Sequence, residues 1–136
     1  MELHLNVIGI LLILLALVHG VFPKYFDWSG DLASISLFNR QLIYVHTFFI
    51  ALVLLQMGTL CLTAADEMIS TPLGRKLALG LAVFWTVRLG VQFFGYSSVL
   101  WRGKTFETTV HVLFSILWVY LSTVFFLVYW YGKDSL

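Results

Sequence analysis

The sequence predicts an all-α integral membrane protein: an antiparallel bundle of four transmembrane helices, with both termini on one side and a short interfacial helix in the first loop. Two observations lead to this class. Of the 136 residues, 60% are hydrophobic and 11% are charged, whereas soluble domains carry about a quarter charged residues. The apolar residues are also gathered into four runs, each close to the ~20 residues that a helix needs to cross the hydrocarbon core.

The four predicted spans cover residues 5–22, 42–65, 77–96 and 108–131. Lipid offers no hydrogen bonds to bare backbone, so each run is expected to be helical, and the alternating pattern of a membrane β-barrel is absent. A chain of this length fits one compact unit. We therefore treat residues 1–136 as a single transmembrane domain.

The first span is expected to be retained as a helix and not cleaved as a signal peptide. Glu2 precedes it where a signal peptide carries Lys or Arg, and the residues before Pro23 lack a small-residue cleavage site. Further along, Thr71 and Pro72 fit a helix start, with the threonine as the cap and the proline in the first helical position.

The first connection, residues 23–41, is the longest. Within it Asp31 is a plausible helix cap, and Leu32, Ile35 and Phe38 follow at three-residue spacing. This pattern predicts a short amphipathic helix that lies at the membrane interface.

Charge does not determine the orientation in the membrane. The basic residues divide almost evenly between the two sides: Arg75, Lys76 and Lys133 on the side of the termini, and Lys24, Arg40, Arg102 and Lys104 on the other. Three against four does not satisfy the positive-inside rule in either direction. The net charge of +1 also provides no basic surface for nucleic acid. We expect the protein in the inner membrane of a bacterium, with its orientation open.

Four polar residues fall at one level of the predicted bundle. His19 lies near the end of the first span, His46 near the start of the second, Gln92 near the end of the third and His111 near the start of the fourth. Antiparallel packing and a rise of ~1.5 Å per residue bring them to a similar depth. Because polar side chains are costly in hydrocarbon, such a layer is a candidate functional site.

Arg88 is the most costly residue in the sequence, about eight residues inside its span. No Asp or Glu lies in the four helix cores, so its partners must be carbonyls, Gln92, hydroxyls, water or an anionic group of a ligand. Arg88, Gln92 and Tyr96 are spaced i, i+4, i+8 and share one helix face. A purely structural arginine remains an alternative.

The leading hypothesis is a transition-metal site for redox or hydrolytic chemistry near the membrane surface. Three histidines with an open position suit zinc, copper or iron, so His19, His46 and His111 would be the ligands. Arg88 and Gln92 would be catalytic, Arg88 holding an anionic substrate group or stabilising negative charge. Gln92 or Tyr96 would orient a bound water.

Two alternatives involve other cofactors. Two histidines on different helices can be the axial ligands of haem b, and Arg40, Arg88 or Arg102 would then meet its propionates. Without a metal, Tyr44 and His46, together with Arg88 and Gln92, would donate hydrogen bonds to the carbonyls of a quinone or a lipid headgroup. Either alternative describes a membrane electron-transfer or lipid-binding protein.

A further alternative is a non-catalytic accessory or assembly subunit, in which the histidines only join helices, as polar side chains often do in membrane bundles. The expected partners are the lipid bilayer, a second copy of the chain or a larger membrane complex, and not nucleic acid. Whether the protein is an enzyme stays open at this level.

Overall fold

A computed structural model describes residues 1–132, and every regular element within that range is helical. Lys133, one of the basic residues counted above, lies outside the described residues. The elements in chain order are α1 (Glu2–His19), α2 (Phe22–Tyr25), α3 (Trp28–Asp31), α4 (Leu37–Thr63), α5 (Ala65–Ser70), α6 (Pro72–Phe94), a 3₁₀ turn (Ser98–Leu100) and α7 (Thr105–Tyr131).

Four of these helices are long and apolar enough to cross a membrane, as the sequence predicted. Helices α1, α4, α6 and α7 contain 18, 27, 23 and 27 residues. Each carries large apolar side chains that are exposed: Leu17, Phe48, Val87 and Ile116, one from each helix, are 61–66% exposed. Such surfaces are typical of helices that face lipid, and together with the helix lengths they suggest a membrane protein.

All four long helices begin earlier than their predicted spans, and for two of them a capping side chain explains the start. Helix α4 starts at Leu37, five residues before the predicted position 42, and the Oγ of Ser36 accepts from the backbone N–H of Asn39 at 3.3 Å. Helix α6 starts at Pro72, and the Oγ1 of Thr71 accepts from the N–H of Gly74 at 2.9 Å. The predicted cap at Thr71 is confirmed. Caps, and not hydropathy, set both helix starts.

The first connection differs from the prediction. No helix runs from Asp31 to Phe38, because Asp31 ends α3 and Phe38 lies in the first turn of α4. Ser36 is extended, with ψ 150°, and its side chain caps the following helix. Asp27, between α2 and α3, adopts a left-handed φ of 46°. The connection therefore contains two one-turn helices in place of one amphipathic helix.

The chain forms two compact units. The N-terminal unit is Leu3–Ala65, and the C-terminal unit is Met1–Glu2 with Asp66–Leu136. In the N-terminal unit α1 and α4 touch through their backbones at two glycines. A Cβ at Gly58 would lie 2.8 Å from the carbonyl oxygen of Gly9, and one at Gly9 would lie 2.9 Å from that of Gly58. Only residues without side chains permit this approach.

In the C-terminal unit α6 and α7 pack against each other in antiparallel directions. The rings of Trp85 and Trp118 stack with centroids 5.0 Å apart. About two turns further along α6, Gln92 contacts His111, which lies nearer the start of α7. Residue numbers therefore rise along α6 as they fall along α7. Trp85 and Trp118 are almost fully buried, so aromatic side chains fill this interface.

Candidate functional site

A polar cluster centred on Gln92 joins α6 to α7. We call it the α6–α7 cluster, and its members are Arg88, Gln92, His111 and Trp118. Gln92 is only 7% exposed, and both the oxygen and the nitrogen of its carboxamide make hydrogen bonds. Its Oε1 accepts from the Nη1 of Arg88 at 3.2 Å and from the Nε1 of Trp118 at 3.3 Å. Its Nε2 lies 2.8 Å from the Nδ1 of His111.

These contacts fix the proton on His111. Guanidinium and indole N–H groups can only donate, so the Gln92 atom that faces them must be the carbonyl oxygen. The amide nitrogen then faces His111 and donates, and Nδ1 of His111 must accept with its lone pair. A neutral imidazole with an unprotonated Nδ1 carries its hydrogen on Nε2. His111 therefore presents a hydrogen-bond donor at Nε2.

Aromatic rings hold the imidazole of His111 in place. The ring of Trp101 stacks on it with centroids 4.0 Å apart and planes 8° apart, and the ring of Phe93 meets it edge-on at 5.8 Å. Trp101 lies in the loop before α7 and is fixed in turn by Thr108, whose hydroxyl donates to the Trp101 carbonyl at 2.6 Å. The imidazole of His111 is therefore held by the stacked ring of Trp101 on one face and by the hydrogen bond between its Nδ1 and Gln92.

Arg88 contacts two aromatic rings in addition to the carboxamide of Gln92. Its Cζ lies 4.9 Å from the ring centroid of Trp118 and 5.8 Å from that of Tyr96, both within cation–π range. Helix α6 contains no Asp or Glu. The contacts of Arg88 within the cluster are therefore with neutral groups, which leave its positive charge available to an acceptor.

His19 and His46, both in the N-terminal unit, have the opposite arrangement. The Nδ1 of each lies 2.8 Å from the carbonyl oxygen four residues earlier, Leu15 for His19 and Leu42 for His46. A carbonyl only accepts, so each Nδ1 carries the hydrogen and each Nε2 keeps a lone pair. His19 is half-buried and His46 is exposed.

The remaining predicted site residues are also divided between the N-terminal unit and the C-terminal unit. Tyr44 and Arg40 belong to α4 of the N-terminal unit, where the ring of Tyr44 meets that of Trp28 edge-on at 5.4 Å. Tyr96 joins Arg88 in the C-terminal unit. Among residues 1–132 no group of three His, Cys, Asp or Glu side chains is placed to hold a metal ion. The three-histidine metal site and the cofactor roles stay predictions.

Trp118 is the member of the cluster that the sequence pattern did not predict. It lies seven residues, about two helical turns, after His111, so the two share a face of α7. Tryptophan is apolar enough to pass as lipid-facing, yet its N–H needs a partner when it is buried. The seven-residue spacing was the signal that could have found it.

No protein-family model, no curated protein and no solved structure matches this chain.

Proposed function

We propose that this is an integral membrane protein whose α6–α7 cluster binds a membrane-soluble quinone through its carbonyl oxygens. In this proposal α1, α4, α6 and α7 all cross the bilayer as an antiparallel bundle, with both termini on one side. Their length and exposed apolar side chains support it. So do the two shorter links, residues 64–71 and 95–104, since a short connection joins antiparallel neighbours.

One observation carries the quinone proposal: the contact between Nε2 of Gln92 and Nδ1 of His111, from which the hydrogen of the neutral imidazole is assigned to its Nε2. A quinone carbonyl accepts hydrogen bonds and donates none, so its recognition requires a fixed donor. Gln92 fixes that donor because its own acceptor is occupied by Arg88 and Trp118. A ring nitrogen that carries hydrogen has no lone pair with which to bind a metal. The opposite orientation of the Gln92 carboxamide is disfavoured, because its amide nitrogen would then face the N–H donors of Arg88 and Trp118.

The surroundings of His111 suit a flat, partly polar ring. Trp101 and Phe93 supply aromatic surface beside the imidazole, and the charge of Arg88 favours electron-rich oxygens. The cluster also lies near the ends of its helices: Gln92 is two residues before the end of α6, and His111 is six residues, about 9 Å, into α7. A lipid-soluble headgroup reaches that depth from the bilayer.

The test is titration of the purified protein in lipid nanodiscs with a short-chain ubiquinone analogue, followed by quenching of tryptophan fluorescence. We expect saturable quenching, and His111→Ala should raise the Kd at least about tenfold because it removes the donor. His46→Ala is the matched control and should leave the Kd unchanged. Absence of saturable quenching, or equal Kd values for the wild type and His111→Ala, would contradict the proposal.

A second candidate, transition-metal or haem b binding, is favoured by the histidines of the N-terminal unit. Metal-binding histidines usually donate one ring N–H to a carbonyl or carboxylate and coordinate with the other nitrogen. His19 and His46 have this arrangement. Elemental analysis and a visible spectrum of protein purified without a histidine tag test the idea. Stoichiometric metal or a Soret band that His19→Ala and His46→Ala remove would support it, and neither signal in the wild type would end it.

A further inference from the structure

Gln56 is a polar residue on the exposed surface of an apolar helix. It lies in α4, seven residues before the end at Thr63, or about 10 Å along the axis. The residues on either side, from Phe48 to Leu55 and from Met57 to Leu62, are apolar apart from Gly58 and Thr59. If α4 crosses the bilayer, as proposed above, this carboxamide lies within hydrocarbon.

The carboxamide of Gln56 makes no hydrogen bond to any other residue between positions 1 and 132. Thr59 and Thr63 share its helix face, three and seven residues after Gln56. Their hydroxyls do not supply donors, because Thr59 donates to the carbonyl of Leu55 at 2.9 Å and Thr63 to that of Thr59 at 2.8 Å. An unpaired amide is unfavourable in lipid, because hydrocarbon offers it no hydrogen-bond partner.

We propose that this face of α4 binds α4 of a second copy of the chain, with the two Gln56 carboxamides paired across a two-fold axis. A carboxamide carries a donor and an acceptor, so its partial charges complement those of its own symmetry mate, and each Nε2 donates to the other Oε1. A two-fold interface uses the same patch on both copies. The patch is an open stretch of the α4 surface formed by Leu55, Gln56, Thr59, Leu60 and Thr63.

The first test measures association by sedimentation equilibrium in density-matched detergent. The wild type should dimerise, and Gln56→Leu should raise the dimer dissociation constant about tenfold, from the loss of two interhelical hydrogen bonds. Gln41→Leu is the matched control, because it makes the same change at an exposed position near the start of the same helix, and its dimer should be unchanged. A monomeric wild type, or a Gln56→Leu dimer as tight as the wild type, would overturn the proposal.

The second test reports the face directly in native membranes. In a Cys61→Ala background, Thr63→Cys should form a disulfide-linked dimer on mild oxidation, whereas Ile50→Cys, about 120° around the helix from Gln56, should not. Equal cross-linking at both positions would overturn the proposed face. Because Gln56 is outside the α6–α7 cluster, quinone titration of Gln56→Leu separates the two ideas: dimer loss with normal quenching leaves the quinone proposal intact, and the reverse leaves the dimer intact.

Discussion

The two units join their helices by different means. In the N-terminal unit α1 and α4 meet backbone to backbone at Gly9 and Gly58. In the C-terminal unit α6 and α7 meet through stacked tryptophans and the side-chain hydrogen bonds of Gln92. The first contact depends on the absence of side chains and the second on their chemistry.

The histidines follow the same division. His19 and His46 each donate to the backbone carbonyl four residues earlier in their own helix. His111 accepts from a residue of another helix. The three histidines that the sequence predicts at one depth therefore expose different groups, two with a lone pair at Nε2 and one with a hydrogen. The position of a histidine along its span does not determine which ring nitrogen carries the hydrogen. The hydrogen-bond partner of the imidazole determines it.

The largest effect is expected at Gln92. Gln92→Leu leaves Arg88, Trp118 and His111 without their common partner, and each buried polar group left unpaired costs about 1–3 kcal/mol. Because Arg88 and His111 are only half-buried, we expect a loss of roughly 2–4 kcal/mol in the free energy of unfolding. Reversible unfolding in mixed micelles, monitored by circular dichroism, measures it. Gln41→Leu, exposed in α4, should change stability by less than about 0.5 kcal/mol; equal effects would remove the cluster as a source of stability.

A smaller loss is expected from the glycine contact in the other unit. Gly58→Ala sets a methyl group against the carbonyl of Gly9, which cannot move aside as a flexible side chain can, and overpacking of this kind costs about 1–3 kcal/mol. Gly80→Ala in α6 has nothing within 4 Å of the added Cβ and should be neutral or slightly stabilising. The same unfolding assay compares them. A Gly58→Ala variant as stable as Gly80→Ala would mean that α1 and α4 are not in backbone contact.

The smallest effect concerns the stacked tryptophans of the C-terminal unit. Trp118 donates to Gln92, whereas the buried Nε1 of Trp85 has no hydrogen-bond partner among the described residues. Both changes to Phe lose similar ring area, but only Trp118→Phe loses a hydrogen bond. It should therefore be about 1 kcal/mol less stable than Trp85→Phe. If the two variants unfold alike, the indole of Trp118 contributes packing alone.

The helices were predictable because lipid restricts the backbone so strongly. Apolar runs gave four spans, and Thr71 before Pro72 gave a helix start that the structure confirms. The first connection was not predictable from periodicity. Leu32, Ile35 and Phe38 have helical spacing, but Ser36 between them caps the following helix. One local hydrogen bond outweighed the pattern.

The sequence placed Gln92 and His111 at one level of two antiparallel helices, and the structure brings these two side chains into contact. The i, i+4, i+8 spacing of Arg88, Gln92 and Tyr96 correctly indicated a shared face, since Arg88 bonds Gln92 and lies over Tyr96. The contacts of Gln92 with His111 and Trp118 cross from α6 to α7, and they join residues that are 19 and 26 positions apart in the chain. The spacing of residues on α6 does not determine which face α7 turns toward it. The position of the hydrogen on the His111 imidazole therefore could not be predicted from the sequence.

The proton on each imidazole can be measured directly. Nitrogen NMR of ¹⁵N-histidine-labelled protein in nanodiscs, assigned by single His→Gln variants, distinguishes a ring nitrogen that carries hydrogen from one that does not. At a pH where the imidazoles are neutral, His111 should show hydrogen on Nε2 and a bare Nδ1, while His19 and His46 show the reverse. Gln92→Glu, which replaces the amide donor by an acceptor, should move hydrogen onto Nδ1 of His111. Hydrogen on Nδ1 of His111 in the wild type would contradict both the cluster geometry and the quinone proposal that depends on it.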